Sequence, residues 1–163
     1  MRTLGLDYGS RTIGIAVSDP MGLTAQGLTT WHRSKEPIDD LNEIKRLIQQ
    51  YEVDRIILGL PKNLNGSLGP AAASVQDFAD FLTKELEIEV ILWDERLTTV
   101  EAEKLLLSGD VSRRKRKKVI DKMAATIILQ SYLDWLYAQK RQSARPASLN
   151  TEDSGGDSTP LEV

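Results

Sequence analysis

Apolar and polar residues alternate along residues 3–8 and 12–18, with Gly9-Ser10-Arg11 between them, a pattern that predicts a β-hairpin. A third, weaker strand, "LTAQGLTTW" at 23–31, follows a turn composed of Asp19-Pro20-Met21-Gly22. Ile38, Leu41, Ile44, Leu47 and Ile48 then recur with a 3.6-residue period behind Pro37, which predicts a helix over 37–51. "RIILGL" (55–60) is a continuous apolar run of the kind that parallel sheets bury on both faces. A Gly/Asn loop, "PKNLNGSLGP", leads to Pro70, which opens a helix to about Leu86 with Val75, Phe78, Ala79 and Leu82 inward. "EVILW" (89–93) predicts a fifth strand, followed at once by "DERLTT". A short helix over 99–107 ends at Gly109, and a last helix spans about 117–139.

This order gives an α/β fold. Three antiparallel strands come first, then two strand–helix steps whose right-handed crossovers make parallel pairs. A five-stranded mixed sheet of three antiparallel and two parallel strands, flanked by helices, has the element order of a ribonuclease H-like fold. One domain is expected over residues 1–140. The tail, 141–163, is rich in Ser, Asp, Glu, Gly and Pro and lacks aromatics, so it is expected to be disordered.

Composition narrows the chemistry. The chain has 163 residues, 40% hydrophobic and 28% charged, with no cysteine and one histidine, His32. Disulfides, thiolate nucleophiles, Cys-ligated zinc and multi-His metal sites are therefore excluded, and no Ser-His-Asp triad is apparent. Any metal must be a hard cation on oxygen ligands, magnesium or manganese before zinc. No signal peptide and no run approaching the roughly 20 apolar residues of a membrane span is present, so a cytoplasmic protein without membrane contact is expected. The net charge of −3 hides a local asymmetry, because Arg113, Arg114, Lys115, Arg116, Lys117 and Lys118 are consecutive cations.

Three acids interrupt apolar surroundings: Asp7 inside the first strand, Asp94-Glu95 at the C-terminal end of the fifth, and Asp121 in the last helix. Ligands of open α/β sheets bind beyond the carboxyl ends of the strands, where Asp94 and Glu95 fall. Asp121 shares a helical face with Ala124, Ala125 and Ile128, and the small alanines would let the helix approach the sheet. Taken singly, each acid has a structural rival: Asp121 with Lys117, Asp94 with Arg96. Asp7, between Gly5 and Gly9, has no evident local partner, and a buried unpaired carboxylate is costly. Together the three point to a divalent-cation site for phosphodiester hydrolysis.

"GLDYGSRTIGIAVSD", "GLPKNLNGSLG", "DERLTT" and "IDKMAATIILQ" resemble, in order, the YqgF (RuvX) family of ribosomal RNA precursor nucleases, also described as Holliday-junction-resolvase-like. The resemblance runs from Arg2 to about Tyr137. It implies a ribonuclease H-like fold and magnesium- or manganese-dependent cleavage of the 16S ribosomal RNA precursor. By motif position it carries the catalytic, metal-holding acids over to Asp7, Glu95 and Asp121, with Asp94 the alternative to Glu95.

Further residues are candidates for nucleic-acid contact. Arg11 beside Asp7 could reach a phosphate or pair with Asp19. Gly9 would leave room for a phosphate to approach. Lys62 and Asn63 sit in a loop that ends at a helix start, where free N–H groups favour anions, although the Gly-Lys-Ser/Thr of a P-loop is missing. Arg96 and the run Arg113–Lys118 complete the set, and no organic-cofactor site is expected. Trp93 and Trp135 read as core and His32 as surface. Structured RNA is the expected partner ahead of branched DNA, for a monomer or homodimer. A DNA junction resolvase would need a dimer, an actin-like ATPase a second domain, and a non-catalytic RNA-binding module would leave the acids without use.

Overall fold

The computed structural model describes residues 1–63, 65–95 and 113–144, without the side chains of 113–121. The expected helix over 99–107, Arg96, the side chains of Arg113–Lys118 and Asp121, and the tail beyond 144 lie outside the described residues. Five strands, β1 (Arg2–Tyr8), β2 (Thr12–Ser18), β3 (Ala25–His32), β4 (Val53–Leu60) and β5 (Glu89–Asp94), form one sheet in the order β3-β2-β1-β4-β5. β1 pairs antiparallel with β2 and β2 with β3, while β1–β4 and β4–β5 are parallel. This is the expected mixed sheet. Three helices are described: α1 (Pro37–Tyr51), α2 (Pro70–Glu85) and α3 (Arg113–Ser143).

α1 and α2 both begin with proline at the first turn, where the missing N–H costs nothing. They cover one face of the sheet. Leu4, Leu6, Ile13, Ile15, Ile56 and Leu58 meet Leu41, Ile44, Phe78 and Leu82 there in one buried cluster. Ile38, part of the periodic pattern, remains 51% exposed at the start of α1. Among the described residues the opposite face is covered by α3, through Ala125, Ile128, Leu129, Tyr132 and Leu133 on Ala16 and Ile57. α3 comes close because the sheet presents glycine beneath it. A β-carbon on Gly5 would lie 2.7 Å from Leu129 Cβ and 3.2 Å from the Ala125 carbonyl oxygen.

Two sequence expectations change. α3 begins at Arg113 rather than near 117, so the basic run belongs to its first turns, as the good helix propensity of Arg and Lys allows. Trp135 is 47% exposed, not core. Its ring leans on Trp93 at 5.8 Å and Tyr132 at 6.1 Å, at the rim of the α3 cluster. Trp93 itself is half-buried and donates its indole N–H to Ser131 Oγ at 3.2 Å. His32 is exposed, as expected.

Candidate active site

Alternation along β1 separates the roles of neighbouring residues. Leu4, Leu6 and Tyr8 face α1 and α2, with Tyr8 stacked on Phe78 at 4.1 Å, so Gly5 and Asp7 face α3. In the parallel pairing Leu6 lies opposite Leu58, so Gly59 comes next to Asp7 as the strands continue. Gly59 in turn lies opposite Trp93 on β5. Just past β5, Glu95 folds back over β4, and its Oε1 packs against the bare α-carbon of Gly59.

Glu95 and Asp7 thereby meet and share a side-chain hydrogen bond. Burial pushes the Glu95 carboxyl up to about 7, and the charge of Asp7, the hydrogen bond to it and the charge of Asp94 act in the same direction. Two carboxyls that face each other in a partly buried site hold a proton between them, since both cannot ionise cheaply. A positive ion is the other means of keeping both charged. The donors are all oxygen and the only histidine is exposed at the end of β3, so this pair fits a hard divalent cation. Among the described residues no group of three acids or histidines could hold a metal.

The direction of α3 is read from its contacts with the sheet. Tyr132 accepts a hydrogen bond from Arg55 at 2.9 Å, level with Thr3, and Ala125 and Leu129 lie over Gly5. α3 thus runs antiparallel to β1. Asp121, one helical turn before Ala125, therefore lies toward the Asp7 end of β1.

Asp94 points the other way. Its carboxylate pairs with Lys62 at 3.8 Å, and both side chains are partly buried. Asp94 therefore bears on the acid pair through its charge, while Glu95 makes the contact. Asn63 is engaged inside its loop, donating to Ser67 Oγ at 2.9 Å while its backbone N–H reaches the Ser67 carbonyl at 3.0 Å. Gly66 takes the positive φ of 84° that this turn needs.

Arg11 is exposed in the β1–β2 turn. Its suggested partner, Asp19, instead caps its own turn, accepting the N–H groups of Leu23 at 2.7 Å and Thr24 at 2.9 Å. Those bonds hold the Asp19 carboxyl below the usual range. Gly9 serves the tight turn: its N–H donates to the Thr12 carbonyl at 2.8 Å, and a β-carbon there would lie 3.0 Å from that same oxygen.

Sequence reasoning passed over the brace behind this turn. Arg33 donates to the carbonyls of Gly9 at 2.9 Å and Ser10 at 3.2 Å, and its guanidinium lies 4.3 Å from the Tyr8 ring centroid. Asp40, 1% exposed, anchors it at 3.4 Å and also accepts the Trp31 indole N–H at 2.9 Å. An acid in the first turn of a helix reads as a dipole effect, so nothing local marks Asp40 as buried.

The RuvX family model, described as Holliday junction resolvase, matches residues 1–135. A Clostridium botulinum protein with the provisional name pre-16S rRNA nuclease is 59% identical over 136 residues, 83% of this chain and 98% of the relative. A similarly named Clostridium tetani protein is 58% identical over 137 residues, covering 84% of this chain and 99% of its own. Among solved structures, Thermus thermophilus RuvC in complex with a Holliday junction substrate superimposes with a TM-score of 0.53 at 13% identity, over 86% of this chain and 96% of that one. The fowlpox virus resolvase with its Holliday junction DNA gives 0.50 at 16%, over 83% and 99%. At such identities the structures establish the shared ribonuclease H-like fold.

Proposed function

The chain belongs to the RuvX family, and from that premise we propose that it is a divalent-cation-dependent nuclease that hydrolyses phosphodiester bonds in the 16S ribosomal RNA precursor. The observation that carries this reading is the Asp7–Glu95 pair, two carboxyls pressed together at the carboxyl end of a mixed sheet, with Glu95 raised to about 7. Asp7, Glu95 and Asp121 hold the cation, magnesium or manganese. When bound, such an ion supplies an activated water and a positive charge for the leaving oxygen. The rest of the work belongs to the chain. Glu95 and Asp7 would set where the cation sits relative to the sheet, since two carboxylates cannot hold an anionic phosphate directly. Arg11, Lys62, Asn63, Arg96 and the run Arg113 to Lys118 are the cations and polar groups assigned to the nucleic-acid backbone. The names of the Clostridium relatives favour RNA.

A second reading is a DNA junction resolvase, favoured by the family description and requiring a dimer with two sites. Incubating the pure protein with a ribosomal RNA precursor and with a four-way DNA junction, with and without magnesium, separates the two. Cleavage of neither, with binding intact, would leave a non-catalytic RNA-binding module.

The basic run should bind backbone rather than bases. Replacing Arg114, Arg116 and Lys118 with glutamine is expected to weaken RNA and DNA binding alike. The slope of log affinity against log salt should flatten by about 2–3 units, since each lost phosphate contact removes nearly one. An unchanged slope in a fluorescence-anisotropy titration would show that this stretch of α3 does not contact the nucleic acid.

The nuclease domain spans residues 1–140 in this reading, with 141–163 a polar tail and a cytoplasmic place of action. Among the described residues no helix is long and apolar enough to cross a membrane. α3 continues to Ser143, but residues 141–144 are exposed. Ending the chain at Arg141 should leave the melting temperature unchanged. A fall of several degrees, about 1 kcal/mol or more for a domain of this size, would show that the tail packs on the domain.

A further inference from the structure

We propose that Gly59 is a positioning residue of the acid site: the missing β-carbon at this point of β4 is the seat of the Glu95 carboxyl and holds it against Asp7. The inference rests on the nuclease reading above and concerns how its acid pair is kept together.

Space, not conformation, explains this glycine. Positive φ is confined, among the described glycines, to Gly22 and Gly66, so the Gly59 backbone would accept an L-residue without strain. Glycine also weakens a strand interior, so the position carries a cost that needs a reason. A β-carbon at Gly59 would overlap Glu95 Oε1, and would lie 3.1 Å from Glu95 Cδ and 2.6 Å from Ile128 Cδ1. All three are atoms near the ends of side chains. At Gly5, by contrast, the nearest atoms are Leu129 Cβ at 2.7 Å and the Ala125 backbone oxygen at 3.2 Å, so a methyl there must push the whole of α3. A methyl on Gly59 is relieved more simply, by rotating Glu95 and Ile128 away. The burden of Gly59→Ala therefore falls on the place of the carboxylate, and that of Gly5→Ala on the fold.

The test compares wild type, Gly59→Ala, Ile128→Val, the Gly59→Ala/Ile128→Val double variant and Glu95→Gln, with Gly5→Ala as the packing control. Ile128→Val removes the Cδ1 methyl, so the double variant retains only the conflict with Glu95. Each protein is melted with and without magnesium chloride, then assayed for binding and cleavage of whichever nucleic acid the wild type cleaves. Gly59→Ala is expected to keep substrate affinity and to lose the magnesium-induced rise in melting temperature. Its kcat should fall by ~100-fold with KM unchanged, as a displacement of about 1 Å in a reacting group can cause. The double variant should melt like Ile128→Val and keep the lowered kcat of Gly59→Ala, and Gly5→Ala should show its main effect in melting temperature. Wild-type cleavage and magnesium response in Gly59→Ala, or their recovery in the double variant, would overturn the proposal. So would failure of both to fold, which would make Gly59 a packing residue like Gly5. Glu95→Gln keeps the two ideas apart: if it cleaves normally the acid-site reading fails, whereas an inactive Glu95→Gln beside an active Gly59→Ala removes only the role of Gly59.

Discussion

Replacing Asp7 or Asp121 with asparagine, or Glu95 with glutamine, should reduce cleavage by more than ~100-fold while leaving stability without cation unchanged or slightly higher. Loss of a group that merely orients a metal ligand costs about 10–100-fold, so loss of a direct oxygen donor should exceed that. The stability arm follows from the geometry. Glu95 is pushed up to about 7 by burial and by the charges of Asp7 and Asp94, so removing a charge from this cluster relieves repulsion. Nucleic-acid binding should survive, because the cations that grip the backbone lie elsewhere in the sequence. An Asp121 that served only to pair with Lys117 would behave oppositely: Asp121→Asn would cost about 0.3–0.5 kcal/mol and spare activity. Measuring melting temperature and cleavage on the same preparations distinguishes the two, and wild-type cleavage by Asp121→Asn would remove that residue from the site.

The stability of the cation-free protein should fall as pH rises from about 5 to 8. Glu95 has its folded value raised from 4.5 to about 7, so between these values the folded state binds more protons than the unfolded chain. Stability from this group is thus fully present below about 4.5 and is lost as pH rises through about 7. At about 1.4 kcal/mol per unit, the loss is at most about 3–4 kcal/mol. Asp19, whose carboxyl is lowered by the N–H groups of Thr24 and Leu23, acts only at pH values below its ordinary 3.8, outside this window. Subtracting the profile of Glu95→Gln from that of the wild type isolates the effect. Magnesium should raise the melting temperature more at pH 8 than at pH 5.5, because protons and cation compete for the same oxygens. Parallel profiles for wild type and Glu95→Gln would mean that Glu95 is not the group held protonated.

The bounds of α1, Pro37 to Tyr51, follow from a helical period and a proline, and those of β2 from simple alternation. The interior position of β4 is legible in "RIILGL", because a strand covered on both faces has no polar side to show. The sheet order follows from the element order, since crossovers are right-handed and hairpins pair locally. These are local or topological properties, carried by contiguous residues. Asp7 also stands out unaided, because an acid inside an apolar strand breaks the period.

Adjacency in the chain could not tell which of Asp94 and Glu95 meets Asp7. The choice depends on which side of β5 each leaves, and on the register of β5 against β4 that brings Glu95 over Gly59 and sends Asp94 to Lys62. Trp135 looked like core because its neighbours are apolar, yet its place on α3 turns it to the rim of a face that no other described helix covers. The Arg33–Asp40 brace and the bare floor at Gly59 were invisible for the same reason. Arg33 meets Gly9 and Ser10, and Gly59 meets Glu95 and Ile128, only across segments more than twenty residues apart, where strand pairing and the close approach of α3 decide which atoms meet.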